Sequence, residues 1–173
     1  MAKILIIVAQ QNFRDEELNE PRRLLSAAGH TLVIASVNAG ICKGMLGMDV
    51  TAELGAYEAK QRVEYFDMIV MVGGSGASVL ADNKDVIELL RKAKAQDKLM
   101  GAICIAPTVF AKAGVLEGKK ATVYKTPEAI KILQQGKAIY TPQQVVVDGK
   151  IVTADGPQSA TEFGRELVKL LQK

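Results

Sequence analysis

The segment GAICIAPTVFAKAG, residues 101–114, decides how the chain is organised. Gly101 to Ile105 is a run of small and β-branched residues that suits a buried strand. Pro107 to Gly114 has helical spacing, with Val109, Phe110 and Ala113 as its apolar positions. Cys104 therefore falls at a strand-to-helix turn. Such a turn exposes a side chain at the carboxyl edge of an α/β sheet and points a helix amino terminus at whatever sits there. A packed core cysteine is the other reading, since free cysteine is among the most buried residue types. The segment alone leaves both open.

Working outward, five runs read as buried strands: Lys3 to Ala9, Thr31 to Ser36, Met68 to Val72, Leu99 to Cys104 and Ile151 to Ala154. They are continuously aliphatic instead of alternating, as a parallel sheet covered on both faces requires. Helical patterns lie between them, including Glu16 to Ala28 ending at Gly29, Asp85 to Gln96, and a last helix from about Ser159 to Leu171. Alternating strands and helices predict a doubly wound α/β sandwich, a mostly parallel central sheet with helices on both faces. Gly40 to Val63 breaks the rhythm with glycines at 40, 44, 47 and 55, and reads as a small antiparallel excursion at one edge. Gln143 to Gly149, with Asp148-Gly149 as its turn, predicts a hairpin with the strand that follows. No linker, repeat or low-complexity tract divides the chain, so residues 1–173 are expected to form one domain.

Composition narrows the function. A length of 173 residues with 49% hydrophobic and 24% charged content suits one globular domain with an adequate core. The net charge is +3, and the 22 Lys and Arg are scattered without a basic run or interleaved aromatics, which argues against nucleic acid as a partner. The amino-terminal run MAKILIIVA stops at two glutamines, too short for a membrane span and without a small-residue cleavage site. Cys42 and Cys104 are expected as reduced thiols in a cytoplasm. One histidine and no Cys-x-x-Cys argue against zinc, and no bound cofactor is implied.

Three further stretches bear on chemistry. VMVGGSGAS, residues 70–78, follows a strand and resembles a dinucleotide fingerprint, yet its third glycine is missing and no acidic residue is placed for a ribose. Gly73 and Gly74 could instead present N–H groups as an oxyanion hole beside a nucleophile from a neighbouring strand, or form an ordinary tight turn. NFRDEELNEP, residues 12–21, opens the first helix at the same sheet edge, where Asp15, Glu16, Glu17 and Glu20 favour a helix amino terminus. A carboxylate set against Cys104 would titrate with it as a coupled unit, and helix amides behind the sulfur would favour thiolate while the carboxylic acid keeps its proton. His30, the only histidine, lies at the wrong end of its strand to serve a site at the carboxyl edge. Cys42 has no neighbouring activator in sequence.

Taken together, ELNEP (Glu17 to Pro21), AAGHTLVIAS (Ala27 to Ser36), VGGSGA (Val72 to Ala77), AICIAPTVFAKAGVLEGKKAT (Ala102 to Thr122) and TADGPQSATEF (Thr153 to Phe163) resemble the ThiJ/PfpI superfamily over nearly the whole chain. That superfamily includes the Parkinsonism-associated deglycase and the PfpI-type intracellular proteases. The resemblance implies a flavodoxin-like sandwich related to class I glutamine amidotransferases. It implies Cys104 as the nucleophile-elbow cysteine, Glu17 as its hydrogen-bonding glutamate, and Gly73, Gly74 and the Ile105 amide as the oxyanion hole. Proteases of the family carry histidine directly after the cysteine, where this chain has Ile105. Glyoxalases and deglycases often carry one after the nucleophile helix, where the matching residue is Tyr124, a candidate for positioning substrate. The resemblance thus implies a stress-related protein acting on small electrophiles or oxidants: a glyoxalase or deglycase, an oxidation-sensing stress factor or chaperone, or a cysteine peptidase. It also implies a homodimer or higher homo-oligomer.

Overall fold

The computed structural model describes all 173 residues. The strands are β1 (Lys3–Ile7), β2 (Gln11–Phe13), β3 (Thr31–Ser36), β4 (Gly40–Gly44), β5 (Asp49–Ala52), β6 (Leu54–Gly55), β7 (Met68–Met71), β8 (Leu99–Ile103), β9 (Lys120–Ala121), β10 (Ile139–Tyr140), β11 (Val145–Asp148) and β12 (Ile151–Ala154). The helices are α1 (Asp15–Ala27), α2 (Ala56–Gln61), α3 (Lys84–Ala95), α4 (Ala106–Lys112), α5 (Pro127–Gln135) and α6 (Ala160–Leu171). Seven strands form the central sheet in the order β11-β12-β8-β7-β1-β3-β6. All pairs are parallel except β11 with β12. This is the flavodoxin-like doubly wound arrangement, in which the chain leaves β1 toward β3 on one side and returns to β7 on the other.

The absence of alternation in the strands has a direct cause. In β1, Leu5 and Ile7 belong to one apolar core, while Ile4, Ile6 and the following Val8 belong to the other. One core is closed by Leu18 and Leu25 of α1 and by Phe163 and Leu167 of α6. The opposite core is closed by α2 to α5, through Ala59, Leu89, Phe110 and Leu133 among others. No helix is long and apolar enough to cross a membrane.

The expected excursion is present, with one difference. β4 and β5 pair antiparallel, and β2 joins them to make a separate three-stranded sheet. The last part of the stretch, expected within the antiparallel excursion, returns to the body as β6, parallel to β3, and the short helix α2, whose Ala56 and Ala59 are buried against the main core. The expected hairpin is β11–β12. Three of the expected strands end one or two residues early, because the residues beyond Ile7, Met71 and Ile103 leave the ladder to build the loops described next.

Gly101 lets α6 lie close on β8: a methyl group there would stand 2.6 Å from Leu167 Cδ2 and 3.1 Å from Phe163 Cζ. Gly101→Ala is expected to lower stability by about 1–3 kcal/mol through overpacking, despite the lower unfolded-state entropy of alanine. Urea unfolding monitored by circular dichroism checks this, and an unchanged midpoint would refute the close approach.

Candidate active site

Cys104 stands one residue past β8 with φ +65°, a left-handed conformation that a non-glycine residue adopts only under support from its surroundings. Two backbone bonds supply it. Cys104 N–H donates to the Ala154 carbonyl at 2.9 Å, and Tyr124 N–H donates to the Cys104 carbonyl at 2.8 Å. The Thr108 hydroxyl then donates to the Ile105 carbonyl at 2.6 Å, closing the first turn of α4. The side chain of Cys104 is therefore aimed from a fixed backbone, with 7% of the residue exposed.

Glu17, in the first turn of α1, has no exposed surface. Its Oε2 accepts the Gly73 N–H at 2.9 Å, whereas Oε1 is buried without a hydrogen-bond partner of good geometry. The carboxyl group interacts with the Cys104 thiol. The meeting point is tight: a methyl on Gly73 would stand 2.7 Å from both Glu17 Oε2 and Cys104 Cβ. Gly74, at φ +107°, passes so close to the segment before α1 that its methyl would stand 2.5 Å from Arg14 N and Asn12 O. The Gly73 amide, expected to face an oxyanion, is hydrogen-bonded to Glu17. The amides of Gly74 and Ile105 remain directed at the sulfur.

Burial sets the electrostatics. Desolvation pushes the Glu17 carboxyl up to about 7, against the lowering pull of Cys104, the Gly73 amide and Arg14. Desolvation and the charge of Glu17 push the Cys104 thiol up to about 12, although the Gly74 and Ile105 amides pull it down. The expected lowering of the thiol by its helix is outweighed, since α4 has only seven residues and the sulfur has an acid beside it. As a coupled unit, the pair holds two protons below about 7 and one between about 7 and about 12.

Around this pair opens a cleft of about 330 Å³, whose walls include Arg14, Met45, Ser75, Ile105, Tyr124 and Thr126. It holds the expected Cys104, Glu17, Gly74, Ile105 and Tyr124. His30 is elsewhere, accepting the Ala2 N–H through Nδ1 at 3.1 Å at the opposite end of the sheet. Cys42 is a buried free thiol in β4. Arg14 and Met45 were not legible as site residues. Met45 reaches the cleft because Asp15 accepts the N–H groups of Leu46 and Met48 at 3.1 and 2.8 Å, a role that its place among helix-starting acids concealed. The signal for Arg14 lay only in its adjacency to Glu17 across one turn.

Because folded Glu17 holds its proton up to about 7, while the unfolded side chain releases it near 4.5, the folded state binds more protons between these values. Its contribution to stability therefore falls as pH rises from about 4.5 to about 7, by about 3 kcal/mol. Glu17→Gln is expected to remove that part of the pH dependence. Denaturant melts of both proteins at intervals from pH 4.5 to 7.5 measure it, and parallel curves would contradict the buried acid.

Residues 2–170 match the DJ-1/PfpI family. An uncharacterized protein of Methanocaldococcus jannaschii is 42% identical over 173 residues, covering 99% of this chain and 83% of that protein. Deglycase PfpI of Pyrococcus furiosus is 33% identical over 170 residues, covering 98% of this chain and 99% of that one. The crystal structure of a ThiJ/PfpI domain protein from Brachyspira murdochii superposes with a TM-score of 0.92 at 30% identity, covering 98% of this chain and 96% of its own. The turn at Cys104, the acid on α1 and the glycine loop all lie within the matched residues: the chain is a member of the DJ-1/PfpI family.

Proposed function

We propose that this protein converts small reactive carbonyl compounds, or their early adducts with amines, through the Cys104–Glu17 pair. The observation that carries the reading is a cysteine on a left-handed elbow facing a buried carboxyl group whose Oε1 has no other partner. The deglycase name of the Pyrococcus furiosus relative supports the substrate class.

In the singly protonated pair, the productive form keeps the proton on Glu17 and the charge on sulfur. The sulfur forms a bond to the aldehyde carbon of a compound such as methylglyoxal, and the C=O electron pair moves onto oxygen. That oxyanion meets the amides of Gly74 and Ile105 and takes the Glu17 proton, giving a thiohemiacetal. Glu17, now a carboxylate, removes the C–H proton to form an enediolate and returns it to the neighbouring carbon, while the thiohemiacetal hydroxyl proton passes to the adjacent oxygen, leaving the thioester of lactate. Water cleaves the thioester and restores the thiol, so that methylglyoxal and water become lactate with no external oxidant. With Ile105 and Tyr124 where other members carry histidine, Glu17 serves as both acid and base.

That missing imidazole also favours a second reading, an oxidation-responsive stress factor. Two equivalents of peroxide would carry the thiolate through sulfenic to sulfinic acid with release of two waters, and a protonated Glu17 would donate to a sulfinate oxygen. In either reading the protein works in a reducing cytoplasm as a homo-oligomer, which light scattering tests.

Lactate formation from methylglyoxal is expected to vanish in Cys104→Ala and to fall at least about 100-fold in kcat/KM in Glu17→Gln. No turnover by wild type, combined with a gain of two oxygens on Cys104 under peroxide, would select the second reading. Alkylation of Cys104 by iodoacetamide is expected to rise with a midpoint near the first proton loss of the pair, about 7. In Glu17→Gln that midpoint is expected to move upward, because a lone buried thiol must then ionise.

A further inference from the structure

Arg14 is the one cationic side chain in the wall of the cleft. Its backbone is fixed from two sides. Arg14 N–H donates to the Gly73 carbonyl at 3.0 Å, and Gly74 approaches it too closely for any larger residue. The root of this side chain therefore cannot shift without moving the loop that holds Glu17. The head is anchored as well: Nε and Nη2 donate to the two oxygens of Glu16 at 2.8 and 3.1 Å. Of the five N–H donors of a guanidinium, that pairing uses two and leaves three.

The rest of the wall is neutral. Met45 and Ile105 are apolar, and Ser75, Tyr124 and Thr126 offer hydroxyl groups. The Thr126 oxygen accepts the Ala129 N–H as the cap of α5, so its own hydroxyl hydrogen is left to donate. Glu17, the only acid in the wall, is fully buried behind the sulfur and does not present a second charge to a ligand lying in the cleft. A ligand with its carbonyl carbon over Cys104 thus has one charged partner within reach, and that partner is a cation with planar, bidentate donor geometry suited to a carboxylate.

We propose that Arg14 is a specificity-determining residue that favours binding of compounds carrying a carboxylate beside the reactive carbonyl, 2-oxo acids of the glyoxylate type, over neutral dicarbonyls of similar size; such an acid adds reversibly to Cys104 and, with no second carbonyl to receive the returned proton, occupies the cleft without being turned over. This rests on the reactive cysteine proposed above. The carboxylate would lie on the free edge of the Arg14 guanidinium with the Thr126 hydroxyl as a further donor, placing the adjacent carbonyl above the sulfur. Glu16 acts as a positioning residue by keeping the guanidinium at the wall instead of in solvent.

The test compares two alkylating probes of nearly equal size at Cys104, anionic iodoacetate and neutral iodoacetamide, with modification followed by peptide mass spectrometry. The ratio of their rate constants removes any change in the sulfur itself. In Arg14→Gln the iodoacetate-to-iodoacetamide ratio is expected to fall at least about fivefold relative to wild type, and Arg14→Lys is expected to retain most of it. Glyoxylate is expected to protect Cys104 from iodoacetamide in wild type at concentrations at least about fivefold lower than in Arg14→Gln. A ratio unchanged by Arg14→Gln, or equal protection of the two proteins, overturns the role of Arg14 while leaving the reactive cysteine in place. Failure of both probes to modify Cys104 in wild type overturns the reactive-cysteine reading, and this inference with it, whereas failure of iodoacetate alone overturns the role of Arg14.

Discussion

A carboxyl group sealed from solvent with one amide for a partner is the constraint around which the candidate site is built. Glu17 accepts a hydrogen bond from Gly73 through Oε2 and interacts with the Cys104 thiol, while Oε1 is buried without a hydrogen-bond partner. An ionised carboxylate in that position would be poorly solvated, which is why its proton is retained toward neutrality. The arrangement exists only because three separate strands end at the same place. β1 leads into α1 and Glu17, β7 leads into Gly73 and Gly74, and β8 leads into Cys104. Doubly wound topology brings these carboxyl ends together. Glycine at 73 then allows an approach that any side chain would block.

Much of this was readable from the sequence because the signals were local. The aliphatic runs marked the central strands, and Asp148-Gly149 marked the hairpin between β11 and β12. The turn at Cys104 followed from a strand pattern giving way to helical spacing, and the resemblance supplied Glu17 and the glycine pair as its companions. What escaped was set by contacts between segments distant in sequence. The helix α2 is too short to show a period, and it is held mainly by burying Ala56 and Ala59 under a neighbouring helix. The hydrogen bond from the Gly73 amide to Glu17 was likewise not legible, because it joins the loop after β7 to the first turn of α1. Asp15 looked like a helix-starting acid, and its real partners are backbone amides more than thirty residues away.

The acids at the start of α1 illustrate why a shared residue type does not imply a shared role. Four carboxylates lie within six positions, and each faces a different environment. Asp15 ties down the β4–β5 turn, Glu16 anchors Arg14, Glu17 is buried at the sulfur, and Glu20 pairs with Arg23 and receives the Thr161 hydroxyl. Glu17 has its pKa raised, since desolvation outweighs its hydrogen bonds. Glu16 and Glu20, each beside a guanidinium, move below the usual carboxylate range. Helix periodicity explains the difference: Glu17 and Pro21 lie on the buried face of α1, whereas Glu16 and Glu20 lie on its solvent side.

In the proposed cycle, the lack of an imidazole gives the buried acid a double duty that constrains the rest of the site. A single group can be both donor and acceptor in one cycle only if it passes through both protonation states without a large free-energy gap, and a pKa near neutrality meets that condition. Moving Glu17 toward solvent would restore its ordinary acidity and leave it unable to return a proton to an oxyanion. Burying it further would keep it neutral and unable to remove one from carbon. The Gly73 amide lowers the pKa and desolvation raises it, so the tight packing of Gly73, Glu17 and Cys104 fixes the balance on which both halves of the proposed cycle depend. Arg14 adds a cation close enough to favour the charged form of the pair, yet it is held by Glu16 instead of bonding to Glu17 directly. A direct ion pair would return Glu17 to the behaviour of its surface neighbours and remove the proton that the sulfur's product needs.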